Sequence, residues 1–136
     1  NYMIGLPDDT AESINETAEF ACELNTAWAN FYSTMPYVGS ALYEQTAREH
    51  PEWLPERVMG TWAAYSQHSY ETCPLPTKTL SAAEVLRLRD EAHRRYFERP
   101  EFTAMLEERF GAKGRAIVEE MNGVRLRRKL LGDSPA

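Results

Sequence analysis

Apolar positions along the chain change period several times, and each change predicts an element. Tyr2-Met3-Ile4 is a short apolar run closed by Gly5-Leu6-Pro7, which reads as a brief strand followed by a turn. Ile14, Ala18, Ala21 and Cys22 then recur at i, i+4, i+7 and i+8, an amphipathic helix to about Leu24 that leaves Glu12, Asn15, Glu16, Glu19 and Glu23 toward water. Asp9 is placed to cap that helix, and Glu12 three residues on completes a capping-box-like pair. Trp28 to Tyr32 reads as a second, aromatic strand, closed by Met35-Pro36 and followed by a helix through Leu42, Tyr43 and Ala47. Strand, helix and strand at this spacing make a βαβ unit. Its strands are parallel, and the loops after both meet at one carboxyl-terminal edge, where parallel α/β folds bind ligands.

Periodicity then breaks down. From His50 to Lys78 the chain carries Pro51, Pro55, Pro74 and Pro76 with Trp53, Trp62 and Tyr65, a long connection with one expected helix over Pro55 to Ser69. Ser81-Ala82-Ala83-Glu84 is a capping box, and Val85, Leu88, Ala92 and Tyr96 form the stripe of a helix to about Glu98. Pro100 starts another helix through Phe102, Met105 and Leu106, Gly111 stops it, and a last helix is expected from Lys113 to near Leu131. The expected class is α/β turning to mostly α. Residues 1–49 hold strand, helix, strand and helix, 50–79 the long connection, and 80–136 a helical extension.

Composition adds limits. The chain has 136 residues, 43% hydrophobic and 26% charged, enough for one folded domain without disulfides or a structural metal. A net charge of −6 repels phosphate backbones and anionic lipid, so neither nucleic acid nor a membrane surface is an expected partner. Arg125, Arg127, Arg128 and Lys129 are the local exception, read as a solvated or dipole-complementing helix end. The two cysteines, Cys22 and Cys73, have no C-x-x-C spacing, so no metal site is expected and a reducing cytoplasm is the expected location. Asp8 and Asp9 lack a third oxygen ligand nearby. His50, His68 and His93 are scattered, with His93 expected in solvent beside Arg94 and Arg95, and no nucleophile partner is visible. Trp53, Trp62, Tyr65, Tyr70 and Tyr96 are open to two readings, core anchors or the lining for a large planar substrate.

The opening M-I-G-L-P-D-D-T, with N-F-Y-S-T-M-P-Y-V-G-S-A-L-Y after the first helix, resembles the late part of the barrel in cobalamin-dependent radical S-adenosylmethionine enzymes. The chain departs from that pattern at Asp8, Asp9, Val38 and Ser40. L-S-A-A-E-V-L-R-L-R-D-E-A, E-R-F-G and L-R-R-K-L-L are similar to the helical tail behind such barrels, so the resemblance spans nearly the whole chain. It implies roughly the fifth and sixth βα units of a partial TIM-type barrel plus the tail, a piece of a larger protein, as the apolar start at Tyr2 also suggests. The implied parent carries out radical methyl transfer or oxidative ring closure, as in relatives like anaerobic magnesium-protoporphyrin monomethyl ester cyclase. It would use S-adenosylmethionine, a four-iron, four-sulfur cluster and cobalamin. Two cysteines cannot supply the three thiolates of the family's C-x-x-x-C-x-x-C loop, so this chain alone is expected to be catalytically inactive. By the same resemblance Met3, Ile4 and Gly5 pass the adenine and Asn30, Phe31 and Tyr32 close the pocket, with Gly5 allowing close approach. The expected partners are the remainder of the parent chain or a second copy joined through open strand edges. The competing reading is a non-enzymatic helical interaction module exposing Leu126, Leu130 and Leu131.

Overall fold

The computed structural model describes residues 1–135. Strands β1 (Tyr2–Ile4) and β2 (Phe31–Ser33) pair in parallel, with Tyr2 opposite Phe31, Met3 opposite Tyr32 and Ile4 opposite Ser33. Helix α1 (Ala11–Leu24) makes the crossover between them, and α2 (Ala41–Glu49) follows β2. The connection carries α3 (Pro55–Met59) between two 3-10 turns, Pro51–Trp53 and Trp62–Tyr65; α4 (Ala82–Phe97) and α5 (Pro100–Asn122) complete the mostly helical second half.

The expected βαβ unit is present, and α4 organises what surrounds it. Val85 and Leu88 pack with Ile4 and Ile14 in one apolar cluster; Ala92, Tyr96 and Phe97 pack with Phe31, Ala18, Ala21 and Phe102 in a larger one. Tyr2 stacks on Phe31 at 5.2 Å, Tyr96 lies 5.8 Å from Phe31, and Phe97 meets Phe102 edge-on at 5.2 Å. Edge-on and offset rings of this kind add roughly 0.5–1.5 kcal/mol per pair beyond the area they bury. Tyr96 keeps its hydroxyl satisfied by donating to the Thr26 carbonyl, which lets so large a polar-tipped ring be fully buried.

Several boundaries fall elsewhere than the sequence pattern places them. The cap of α1 is Thr10, whose hydroxyl accepts from the Ser13 N–H at 3.2 Å while Ser13 Oγ accepts from the Thr10 N–H at 3.0 Å. Asp9 has other donors: its carboxylate accepts the N–H groups of Gly5 and Leu6, both at 2.9 Å, and the Ser13 hydroxyl. A carboxylate that can collect three donors across the strand-to-helix loop is better satisfied there than at the cap. Trp28 lies before β2 and is 52% exposed. The helix expected over Pro55 to Ser69 ends at Met59 because Gly60, at φ 73°, terminates it in the left-handed region. Gly111 breaks α5 as expected, at φ 69° and ψ −170°. Helix then ends at Asn122, and the basic run lies on a non-helical tail that returns to α4 through a 3-10 turn, Lys129–Leu131. Leu126, Leu130 and Leu131 therefore do not form a helical stripe.

Candidate functional site

Parallel pairing fixes which groups each strand presents. Tyr2 N–H donates to the Asn30 carbonyl and Thr34 N–H to the Ile4 carbonyl, both at 2.8 Å. Bonding residues alternate in a parallel ladder, so the N–H and C=O of Met3 point away from β2, toward the outer edge of β1. The outer edge of β2 is treated differently. Arg89 Nε donates to the Phe31 carbonyl at 2.7 Å, and the Gln67 amide both accepts from Ser33 N–H and donates to Ser33 C=O, each at 2.9 Å. Side chains thus close the outer edge of β2, while among the described residues no hydrogen bond is made to the Met3 backbone at the outer edge of β1.

Side chains alternate as well. Ile4 and Phe31 face the helices and are buried, while Met3 and Tyr32, opposite one another, face the other side; Met3 is 52% exposed and Tyr32 half-buried. Asn30 sits at the amino end of β2, donating to Asn1 Oδ1 and accepting from the Trp28 indole. Of the six residues singled out from the sequence, the structure thus brings Met3 and Tyr32 together on an open face. Gly5 has a different constraint from the one its sequence context suggested. Its φ is 85°, and a Cβ there would come within 2.5 Å of Val85 Cγ1, so its missing side chain makes room for α4. Ser33, 2% exposed, has a hydroxyl oxygen with no hydrogen-bond partner.

The carboxyl edge of the sheet is crossed by residues 75–79. Leu75 N–H donates to the Thr34 carbonyl, Lys78 N–H to that of Pro7, and the hydroxyls of Thr77 and Thr79 to that of Asp9. The Lys78 ammonium pairs with Asp8. Beside this strap, a cavity of about 270 Å³ has walls from Leu42, Trp53, Leu75 and Pro76. His50 stacks on Trp53 at 3.7 Å. Of the five aromatic residues left open by sequence, Tyr96 and Tyr65 are core, Trp53 and Trp62 keep 37% and 62% exposure, and Tyr70 donates its hydroxyl to the Asp133 carbonyl.

A larger cavity, about 440 Å³, lies between α4 and the tail. Its floor is Arg128, 1% exposed and the reverse of the solvated residue expected. Every guanidinium donor is used: Nε and Nη2 hold both oxygens of Asp90 at 2.9 and 3.0 Å, and the remainder reach the carbonyls of Ser69 and Gln67 and the Thr72 hydroxyl. Burial pushes the Asp90 carboxyl up, but Arg128 and Arg89 outweigh it and hold the pKa below the ordinary value. His93 is half-buried against Phe97 at 4.6 Å, contrary to the solvent exposure expected. Burial, reinforced by Arg89, takes its pKa from 6.5 down to about 4. His68 shifts the same way for the same reasons. This centre is invisible in the sequence, because nothing in local spacing ties residue 90 to residue 128.

Cys22 packs beside the aromatic core and Cys73 is buried, its thiol pushed up to about 11; both are free. Among the described residues no group of three or more His, Cys, Asp or Glu side chains is gathered to hold a metal ion, and no helix is long and apolar enough to cross a membrane. Comparison of the chain with protein-family models, curated proteins and solved structures returns no match.

Proposed function

We propose that this chain is the C-terminal portion of a cobalamin-dependent radical S-adenosylmethionine enzyme, with β1 and β2 as the last two strands of an open, partial TIM-type barrel. The observation that carries this reading is the inequality of the two strand edges. A terminal strand needs its outer edge closed, as Gln67 and Arg89 close that of β2, and the strand before it needs an edge free to pair, as Met3 leaves that of β1. The one-sided sheet adds support. Helices cover the Ile4 and Phe31 side, while Met3 and Tyr32 face where a barrel interior would be.

In this reading the remainder of the parent chain is the main partner and supplies the iron-sulfur cluster and the cobalamin site; Cys22 and Cys73 do not fit a cluster, so the isolated chain is inactive. Its own contribution is a wall of the S-adenosylmethionine pocket, an apolar thioether and a ring at Met3 and Tyr32 for a flat base, with Ile4 and Phe31 fixing the strands from behind. The parent's chemistry is radical methyl transfer or oxidative cyclisation, and its location the cytoplasm. A second copy pairing through the β1 edge is the natural substitute when the rest of the barrel is missing. The interaction-module alternative draws less support, since Leu126, Leu130 and Leu131 do not share a helix face.

Titration of the chain with S-adenosylmethionine by calorimetry tests the pocket, using Met3→Asp and Tyr32→Ala as controls. Gly5→Val is unsuitable, because it collides with Val85 whether or not a ligand binds. Binding that both variants lose is the expected result. Absence of binding at millimolar ligand, or binding indifferent to both substitutions, rules out this wall as an adenine contact.

A further inference from the structure

The cavity between α4 and the tail belongs to neither strand face, and its chemistry differs from that of the chain as a whole. Five arginines and four carboxylates contribute to its lining, a local excess of cations in a chain of net charge −6. Most of these charges are committed. Arg89 and Arg128 hold Asp90, and Arg87 pairs with Glu91 at 3.4 Å. Arg94, Arg125 and Glu98 are exposed and, among the described residues, make no ion pair or side-chain hydrogen bond, which leaves two free cations to one free anion. The end of α5 and the start of the tail bring apolar groups to the same space: Met121 is half-buried, Val124 is 69% exposed and Leu126 is 36% exposed. A volume of about 440 Å³ is of the size that small ligands occupy.

We infer that this cleft binds a small amphipathic anion, with a carboxylate, sulfonate or phosphate group held by Arg94 and Arg125 and an apolar body laid against Met121, Val124 and Leu126. Guanidinium groups suit such a head group because their planar forks match two oxygens at once. At both His68 and His93 burial favours the uncharged ring, and the Arg89 guanidinium adds to it against the opposing Asp90 carboxylate. The Arg128 lock gives the site a rigid floor without taking part, since all its donors are already used.

The probe is anilinonaphthalenesulfonate, a fluorescent amphipathic anion, titrated into the full chain at low salt while the imidazole signals of His50, His68 and His93 are followed by NMR. The expected result is one saturable site that shifts His68 and His93 but not His50. An Arg94→Gln, Arg125→Gln double variant keeps the native melting temperature and binds at least about tenfold more weakly, the loss of two charge-assisted hydrogen bonds. The uncharged analogue phenylnaphthylamine binds weakly to both proteins. Binding that leaves His68 and His93 unmoved, or that survives the double substitution, overturns the site. Phenylnaphthylamine binding as tight as the sulfonate overturns the anionic half of the assignment, and inorganic phosphate binding as tight overturns the apolar half.

Discussion

Helix α4 holds the molecule together twice, by opposite physics. One set of its residues, Val85, Leu88, Ala92 and Tyr96, buries against α1 and the strands, where stability is spread over many weak contacts. Another, Arg89 and Asp90, captures the tail through the single side chain of Arg128. Apolar packing is graded, since truncating one ring leaves the rest in place. A buried guanidinium is worth having only when its partners are complete, because the cost of taking it out of water is incurred whole. The tail is thus fastened by a latch and the core by a mosaic, and the two halves should fail differently.

Phe102→Ala offers the largest effect. A fully buried ring in the aromatic cluster is lost, and global stability should fall by about 3–5 kcal/mol, read from denaturant unfolding. Arg128→Ala strands the Asp90 carboxylate with Arg89 alone, so a cost of about 3 kcal/mol is expected, toward the low end for a broken buried pair. The effects should also differ in reach. Arg128→Ala should strip hydrogen-exchange protection from the amides of Lys129 and Leu131, which are bonded to Tyr70 and Arg128, and spare those of α1. Protection lost evenly along the chain would mean that the latch and the core are one cooperative unit.

Titration separates them again. His93 faces Arg89 and Asp90 on its own helix, His68 from the connection and Arg128 from the tail. With its folded pKa near 4 against 6.5, the unfolded chain binds more protons between those values, so stability rises with pH through that window and levels above it. Asp90 acts in the same direction at lower pH: its depressed carboxyl stabilises above the ordinary value of 3.8, and that contribution is lost as pH falls through the folded pKa. His93→Gln should flatten the upper part of the stability profile and leave the lower part to Asp90. A wild-type profile already flat between pH 4 and 6.5 would contradict the burial of His93.

What could be read from the sequence was what depends on near neighbours. The Ser81–Glu84 capping box and the α4 stripe are local patterns, as is the parallel strand pair implied by two short apolar runs around a helix, and all are present. The failures involve distant partners. Nothing in R-L-R-D shows that Asp90 will meet Arg128, so the basic run looked solvated and the last helix looked longer than it is. The closeness of Val85, eighty positions away, that a Cβ at Gly5 would meet is likewise invisible in local spacing. Only the strand register separates Met3 and Tyr32, which face outward, from their neighbours Ile4 and Phe31, which face the helices.

Smaller effects sharpen the comparison locally. Ser33→Ala removes a buried hydroxyl that has no partner, so the variant should be unchanged or more stable by up to about 1 kcal/mol; a clear loss would require a hydrogen bond that the native packing does not show. At the start of α1, Thr10 and Ser13 form the reciprocal pair, so Thr10→Ala should cost about 1 kcal/mol. Glu12 lies in the same turn without capping anything. Its substitution by Ala should lose only a salt-sensitive interaction with the helix dipole, and its melting temperature should converge on that of the native chain as salt is raised. A Glu12→Ala loss that equals that of Thr10→Ala and persists in high salt would return the cap to the Asp9–Glu12 pairing, and would free the Asp9 carboxylate from the loop it now closes.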